Sequence, residues 1–231
     1  MDAGDGIARV DGPAPTGLGE PRWPVALALV GYTMLSIAVR IWLPTGSPVR
    51  VPWLIPAIEV VLLVVLFFGN PARLGNRATS VRRVALVLVT LLVLAALWST
   101  VLLVYDVIKG NGVTNSAARL LASGALVWLG NNLAFALLYW LIDGGGPIAR
   151  AGRSVPVDLA FPQQMSPELE AEGWRPVFLD YLYLGFTNAT AFSPTDVMPL
   201  SHRAKYVMLT QATVALALFG LIVARAVNVF T

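Results

Sequence analysis

Four long apolar runs, at about 24–43, 52–69, 83–108 and 117–142, constrain this chain more than anything else in it. A helix that crosses a bilayer needs about 20 mostly apolar residues, and each of these runs is close to or beyond that length. Backbone in lipid must satisfy its own hydrogen bonds, so continuous runs of this kind are read as spanning helices. Only 13% of the 231 residues are charged, against roughly 25% in soluble domains. The expected fold class is an all-α integral membrane protein, a bundle of five to six transmembrane helices.

Local signals divide the chain into four parts. Residues 1–23 carry Asp2, Asp5, Asp11 and Glu20 among glycines and prolines. With little apolar surface to bury and no basic lead into an apolar core, they are expected to be a disordered tail rather than a signal peptide. Residues 24–142 form the four-helix region, with Pro44-Thr-Gly and Gly69-Asn70-Pro71 closing the first two helices. Residues 143–176 are a long polar loop that opens with the turn Gly144-Gly-Gly-Pro147. In this loop Ser166-Pro167-Glu168 has the pattern of a short surface helix: a cap, a proline in the first turn and an acid at the positive dipole end. Residues 177–231 comprise an apolar-to-polar stretch and a last helix, about 202–228, which starts from a Ser201 cap and runs roughly 40 Å.

The arginines orient the bundle. Arg73, Arg77, Arg82 and Arg83 fall in one short loop, and basic loops stay in the cytoplasm. That places the N-terminus and loop 143–176 on the same side. A full crossing by 177–196 gives six spans, and a dip with return gives five.

Ionisable and amide groups inside apolar runs need partners. Arg40 and Glu59 sit toward one membrane face across a short hairpin. They read as a structural ion pair or, alternatively, as a protonation or cation site at Glu59. Asn131 and Asn132 interrupt the fourth run, either as glue between helices or as partners for the polar segment that follows. That segment is Phe186-Thr187-Asn188-Ala-Thr190-Ala-Phe192-Ser193-Pro194-Thr195-Asp196. Irregular polar backbone at membrane depth survives only when buried in protein or lining water.

The stretch from Asp180 through Thr187, Asn188, Thr190, Phe192, Ser193, Pro194, Thr195 and Asp196 to Pro199, followed by an apolar helix, resembles the pore module of two-transmembrane potassium channels. There a pore helix ends in a threonine-rich turn that leads into a Val-Gly-Tyr-Gly-Asp filter with a proline three residues later. Phe192 falls on the filter valine, Ser193 and Thr195 on the glycines, and Pro194 on the tyrosine, while Asp196 and Pro199 match. The chain is also similar to an uncharacterised bacterial multi-spanning family of unknown function, with an Asp-x-Leu-Tyr…Phe-Thr…Ser/Thr-Asp stretch before its last helix. The first resemblance covers about 50 residues and the second most of the chain.

The resemblance implies a pore-loop-like segment before the last helix and a homo-oligomer, tetrameric if channel-like. It also implies a monovalent cation and a bacterial plasma membrane. The filter glycines are missing, however. Glycine alone takes φ > 0 without steric cost, and Pro194 holds φ near −65°, so a potassium filter of standard geometry is not expected. The potassium-channel layout would also turn the arginine-rich loop outward.

The functional expectation is an oligomeric cation channel with a degenerate filter. The alternative is a non-conducting membrane scaffold or partner-binding protein that docks through loop 143–176. There are no cysteines and only His202 as a histidine, so no metal-ligand set or nucleophile–base–acid set can be assembled. No enzyme, cofactor or metal is expected. A charge of +3 without any run of like charge gives no nucleic-acid footprint, leaving lipid as the surrounding partner.

Overall fold

The computed structural model describes residues 23–42, 57, 60, 61, 64, 78–110, 116–152, 156–166, 168, 174–190 and 196–230. Glu59 and the apolar run 52–69, apart from four isolated helical residues, lie outside these. Among the described residues four long helices carry the fold: α1 (Trp23–Trp42), α2 (Ala78–Lys109), α3 (Ala117–Ile142) and, last in the chain, α7 (His202–Phe230). Between α3 and α7 come a 3₁₀ turn at Asp143–Gly145, α4 (Pro147–Gly152), β1 (Leu159–Ala160), α5 (Pro162–Met165), α6 (Phe178–Thr190) and β2 (Met198–Pro199).

Three of the described helices, over Arg82–Lys109, Ala117–Gly145 and His202–Arg225, are long and apolar enough to cross a membrane. The chain is thus mostly helical, as its apolar runs require.

Helix α3 is the axis of the bundle and touches α1, α2, α6 and α7. One end of the core holds an apolar cluster of Leu103, Val107, Leu120, Val127, Leu218 and Ile222. There α7 lies directly on α3. The space where a Cβ on Gly124 would project is filled by Ile222, whose Cδ1 is 2.2 Å from that position. At the other end α6 is wedged between α3 and α7. Phe178 meets Trp140 edge-on at 6.2 Å, Gly185 lies against the Asn132 carbonyl, and Phe186 meets Trp128 at 5.3 Å. Helix α6 therefore runs antiparallel to α3 from its Asp143 end to about its middle, and it stops where α7 closes on α3.

The chain then comes back. By Met198 and Pro199 it is paired antiparallel with Ala160 and Leu159, and Leu200 N–H donates to the Asp158 carbonyl at 2.8 Å. That strand pair lies at the Asp143 end, where α6 began. A 13-residue helix is about 20 Å long, and the residues from Thr190 to Met198 reach that far when extended at ~3.3 Å each.

Two local expectations can be compared with the structure. The helix expected to start at Ser166-Pro167-Glu168 lies mostly outside the described residues, where beyond Ser166 Glu168 alone is described and is helical. The separate short helix α5 precedes it, with Gln164 Oε1 accepting the Phe161 N–H at 3.0 Å. The last helix starts where its cap signal put it, with Ala204 N–H donating to Ser201 Oγ at 3.2 Å.

Helix α6 can approach α3 closely because residue 185 has no side chain. A Cβ there would lie 3.3 Å from the Asn132 carbonyl and 3.6 Å from Ala136 Cβ. Gly185→Val should cost ~1–3 kcal/mol by overpacking and lower the thermal midpoint in detergent. Gly220→Val, with nothing within 4 Å of its Cβ position, should not.

Candidate functional site

Two polar groups stand out inside this largely apolar bundle. The first is a closed ring of side chains at mid-depth between α3, α6 and α7. Tyr139 OH donates to Gln211 Oε1 at 2.7 Å. Asn188 Nδ2 lies 2.8 Å from the same oxygen, 3.0 Å from the Met208 carbonyl and 3.3 Å from Tyr139 OH. Gln211 Nε2 donates to the Gly185 carbonyl at 2.9 Å. An amide NH₂ has two protons, so Asn188 shares them among three acceptors. Gln211 is 1% exposed, and each of its polar ends has a partner on another helix.

The second group lies at the Asp143 end. Asp143 Oδ1 accepts the backbone N–H groups of Asp158 and Leu159 at 2.8 and 3.1 Å, and its Oδ2 accepts Tyr181 OH at 2.6 Å. Arg150 Nη1 donates to the carbonyls of Asp143 (2.6 Å) and Trp140 (2.9 Å), and its guanidinium stacks 5.0 Å from the Tyr181 ring centroid. Asp158 in turn accepts Gly144 N–H at 3.1 Å and takes Arg203 bidentately, with Nε at 2.6 Å and Nη2 on the second oxygen. Turn, strand and α7 are thereby bound into one cap. The cap joins six elements, α3, the 3₁₀ turn, α4, β1, α6 and α7, through charge-assisted hydrogen bonds, roughly twice as strong as neutral ones.

The residues singled out from the sequence fall in several places. Asn188 is in the mid-depth ring. Thr187 Oγ1 donates to the carbonyls of Tyr183 and Leu184 at 3.0 and 3.1 Å, and Thr190 Oγ1 to Thr187 O at 2.9 Å. Both hydroxyls are therefore spent on their own helix. Asp196 is exposed. Phe192, Ser193, Pro194 and Thr195 lie outside the described residues, as do Glu59 and the side chain of Arg40.

Asn131 Nδ2 binds Thr100 Oγ1 on α2 at 2.8 Å and the Val127 carbonyl at 3.0 Å, whereas Asn132 Nδ2 binds Trp128 O at 2.9 Å. The first joins α2 to α3, as an interhelical amide does. Neither side-chain amide contacts residues 187–190; it is the Asn132 backbone carbonyl that α6 approaches. Asp180 Oδ2 accepts Val177 N–H at 2.7 Å, capping the start of α6.

Sequence reasoning missed Tyr139, Gln211, Asp143, Asp158, Arg150 and Arg203. Gln211 carried a signal, because a lone amide inside an apolar helix needs a partner just as Asn131 does. No family model, curated protein or solved structure matches this chain.

Two tests follow from the geometry. Tyr139→Phe and Gln211→Leu each break the same ring, so the double variant should lose less stability than the sum. The expected coupling is ~0.5–3 kcal/mol in thermal unfolding.

The acid limb of stability should depend on Asp158. Burial opposes its charge, but hydrogen bonds from Arg203, Ser201 and Gly144, with the Arg203 charge, outweigh that and hold its carboxyl below the usual 3.8. In the unfolded chain this group takes up its proton first, so its stabilisation is complete above 3.8 and is lost as pH falls through the lower folded value. Unfolding midpoints of wild type should drop below that pH, and Asp158→Asn should lower the plateau and flatten the drop.

Proposed function

We propose that this chain is a multi-pass integral membrane protein of the bacterial plasma membrane with five spans and a re-entrant α6. In this reading copies of the chain assemble, as a tetramer in the channel-like case, around a cation pathway lined by the turn after α6. The observation that carries the reading is that α6 goes only to mid-bundle and the chain returns to the end it left. A half-depth helix leaves its last carbonyls near the bilayer centre, where irregular backbone is tolerated only against protein or water. Its C-terminal dipole end favours a cation there.

Within this proposal Asn188 anchors α6 rather than lining the pathway, because its amide donates inward. Thr187 and Thr190 finish the helix. Phe192, Ser193, Pro194 and Thr195 form the constriction, and Asp196 draws cations to its mouth. Without the filter glycines, the pathway is weakly selective among monovalent cations.

A second reading is favoured by the ring itself. Tyr139, Asn188 and Gln211 are satisfied within one chain, and a bundle closed this way needs no water. It would serve as a non-conducting scaffold that presents loop 143–176 to a partner.

Flux of potassium into liposomes reconstituted with the full chain separates the two. Conduction should be blocked by Ser193→Trp and reduced several-fold by Asp196→Asn. Folded protein that conducts nothing in any oligomeric state would leave the scaffold. The topology is tested separately, since the chain has no cysteine. Val177→Cys and Leu200→Cys, both at exposed positions, should react with an impermeant maleimide from the same side of the membrane. Labelling from opposite sides would mean that the segment crosses.

A further inference from the structure

Both buried carboxylates of the polar cap already have a cation beside them. Asp143 is matched by Arg150 and Asp158 by Arg203. Arg82, at the start of α2, has no carboxylate within ion-pair distance among the described residues. Its Nε is nevertheless buried and donates to nothing. That nitrogen lies 3.6 Å from where a Cβ on Gly146 would sit. Arg150 reaches the same turn from the other side. Its Nη1 shares the Asp143 carbonyl with Gly146 N–H, at 2.6 and 2.8 Å. Its side chain is only 8% exposed, and its Nη2 is buried without an acceptor. The neighbouring carbonyls of Trp140 and Asp143 already accept from Arg150 Nη1, the second also from Gly146 N–H.

The geometry points to a binding site for a phosphate-bearing anion between Arg82 and Arg150 at the Gly146 turn. Two guanidinium groups beside one turn, each with a buried N–H donor that has no acceptor, ask for an acceptor with several oxygens and a negative charge. The planar fork of arginine fits phosphate better than it fits a single carbonyl. Gly146 has φ of 91°, and a side chain there would lie 3.2 Å from the Leu141 carbonyl and crowd Arg82, so glycine keeps the approach open. The depth is also right for a phosphodiester. Arg82 is the first residue of the apolar stretch Arg82–Lys109, which puts it at headgroup level in a bilayer. Exposed Arg203 and Lys205 on α7 add positive potential at the same end, of the kind that draws anionic lipid. The shared chemistry is a phosphate group, and its source is either an anionic phospholipid or free phosphate. The site stands whether or not the chain conducts.

The test uses the full chain in detergent, with native mass spectrometry and thermal unfolding against phosphatidylglycerol, phosphatidylcholine and inorganic phosphate. Phosphatidylglycerol should bind at least about tenfold more tightly than phosphatidylcholine and raise the unfolding midpoint. Arg82→Gln should abolish that preference, and the neighbouring exposed Arg83→Gln should leave it. Stabilisation by phosphatidylglycerol without any by inorganic phosphate assigns the site to lipid; stabilisation by both, each lost in Arg82→Gln, assigns it to phosphate in general. Should Arg82→Gln fail to fold, Arg82→Lys keeps the charge without the fork and should bind several-fold more weakly. Equal binding of the two lipids and no effect of phosphate would overturn the proposal. So would an unchanged preference in the folded Arg82 variant, or an equal loss in Arg83→Gln.

Discussion

A carboxylate with no access to water sets the arrangement of half this molecule. Asp143 is 0% exposed, and an ionised group in that position costs several kcal/mol unless charge and hydrogen bonds surround it. The fold surrounds it from three directions in the chain: Tyr181 from α6, the N–H groups of Asp158 and Leu159 from the strap of residues 156–161 that holds β1, and Arg150 from α4. Each of these fixes a segment that local propensity would leave loose. The strap has only two residues in a strand, too short to hold by pairing alone, and α4 has six. Their positions follow from what Asp143 needs. Asp158, carried in by the strap, then fastens the start of α7 through Arg203, so one buried charge determines where the next is placed.

This cap also accounts for the depth of α6. Its first turn is held by Tyr181 on Asp143, and its last by Asn188 on Gln211 and the Met208 carbonyl. Beyond Phe186 and Trp128 there is no groove left to enter, because Ile222 of α7 occupies the space that Gly124 leaves on α3. The bundle thus has two regimes along one axis. Apolar side chains pack α7 directly against α3 at one end, and a helix is inserted between them at the other by specific hydrogen bonds. If these helices sit in lipid as proposed, the apolar contacts lack a hydrophobic drive, and interhelical hydrogen bonds of ~0.6–2 kcal/mol carry correspondingly more of the specificity.

The long helices were legible because hydropathy and length act locally: the runs at 83–108 and 117–142 and the Ser201 cap each announce themselves within a few residues. The return of the chain after α6 was not legible. Whether residues 177–196 cross or turn back depends on Leu200 and Pro199 meeting Asp158 and Leu159 some 40 residues earlier in the chain, and no window of sequence contains both. The same holds for the ring. Asn188 was visible as a polar residue in the segment, but its partners Tyr139 and Gln211 lie 49 and 23 residues away. A polar residue read alone suggests a lining; read with its partners, it is an anchor. Asn131 illustrates the converse, since a buried amide suggested glue between helices and its contact with Thr100 is of that kind.

The ring and the proposed pathway constrain each other. With Asn188 donating inward, the proposed route would pass on the outer side of α6, between copies of the chain. That side carries Leu179, Tyr183 and Phe186, all exposed and spaced by four and three residues on one face. Such a stripe suits lipid or the packed surface of a neighbouring subunit, and it offers an ion nothing to replace its hydration. In the proposed channel the polar lining of such a route would then have to come from the short Ser193-Pro194-Thr195-Asp196 sequence rather than from α6. A route that short cannot discriminate by a long queue of binding sites, so its preference for cations would come from the C-terminal dipole of α6 and the charge of Asp196 rather than from a fitted cage of carbonyls.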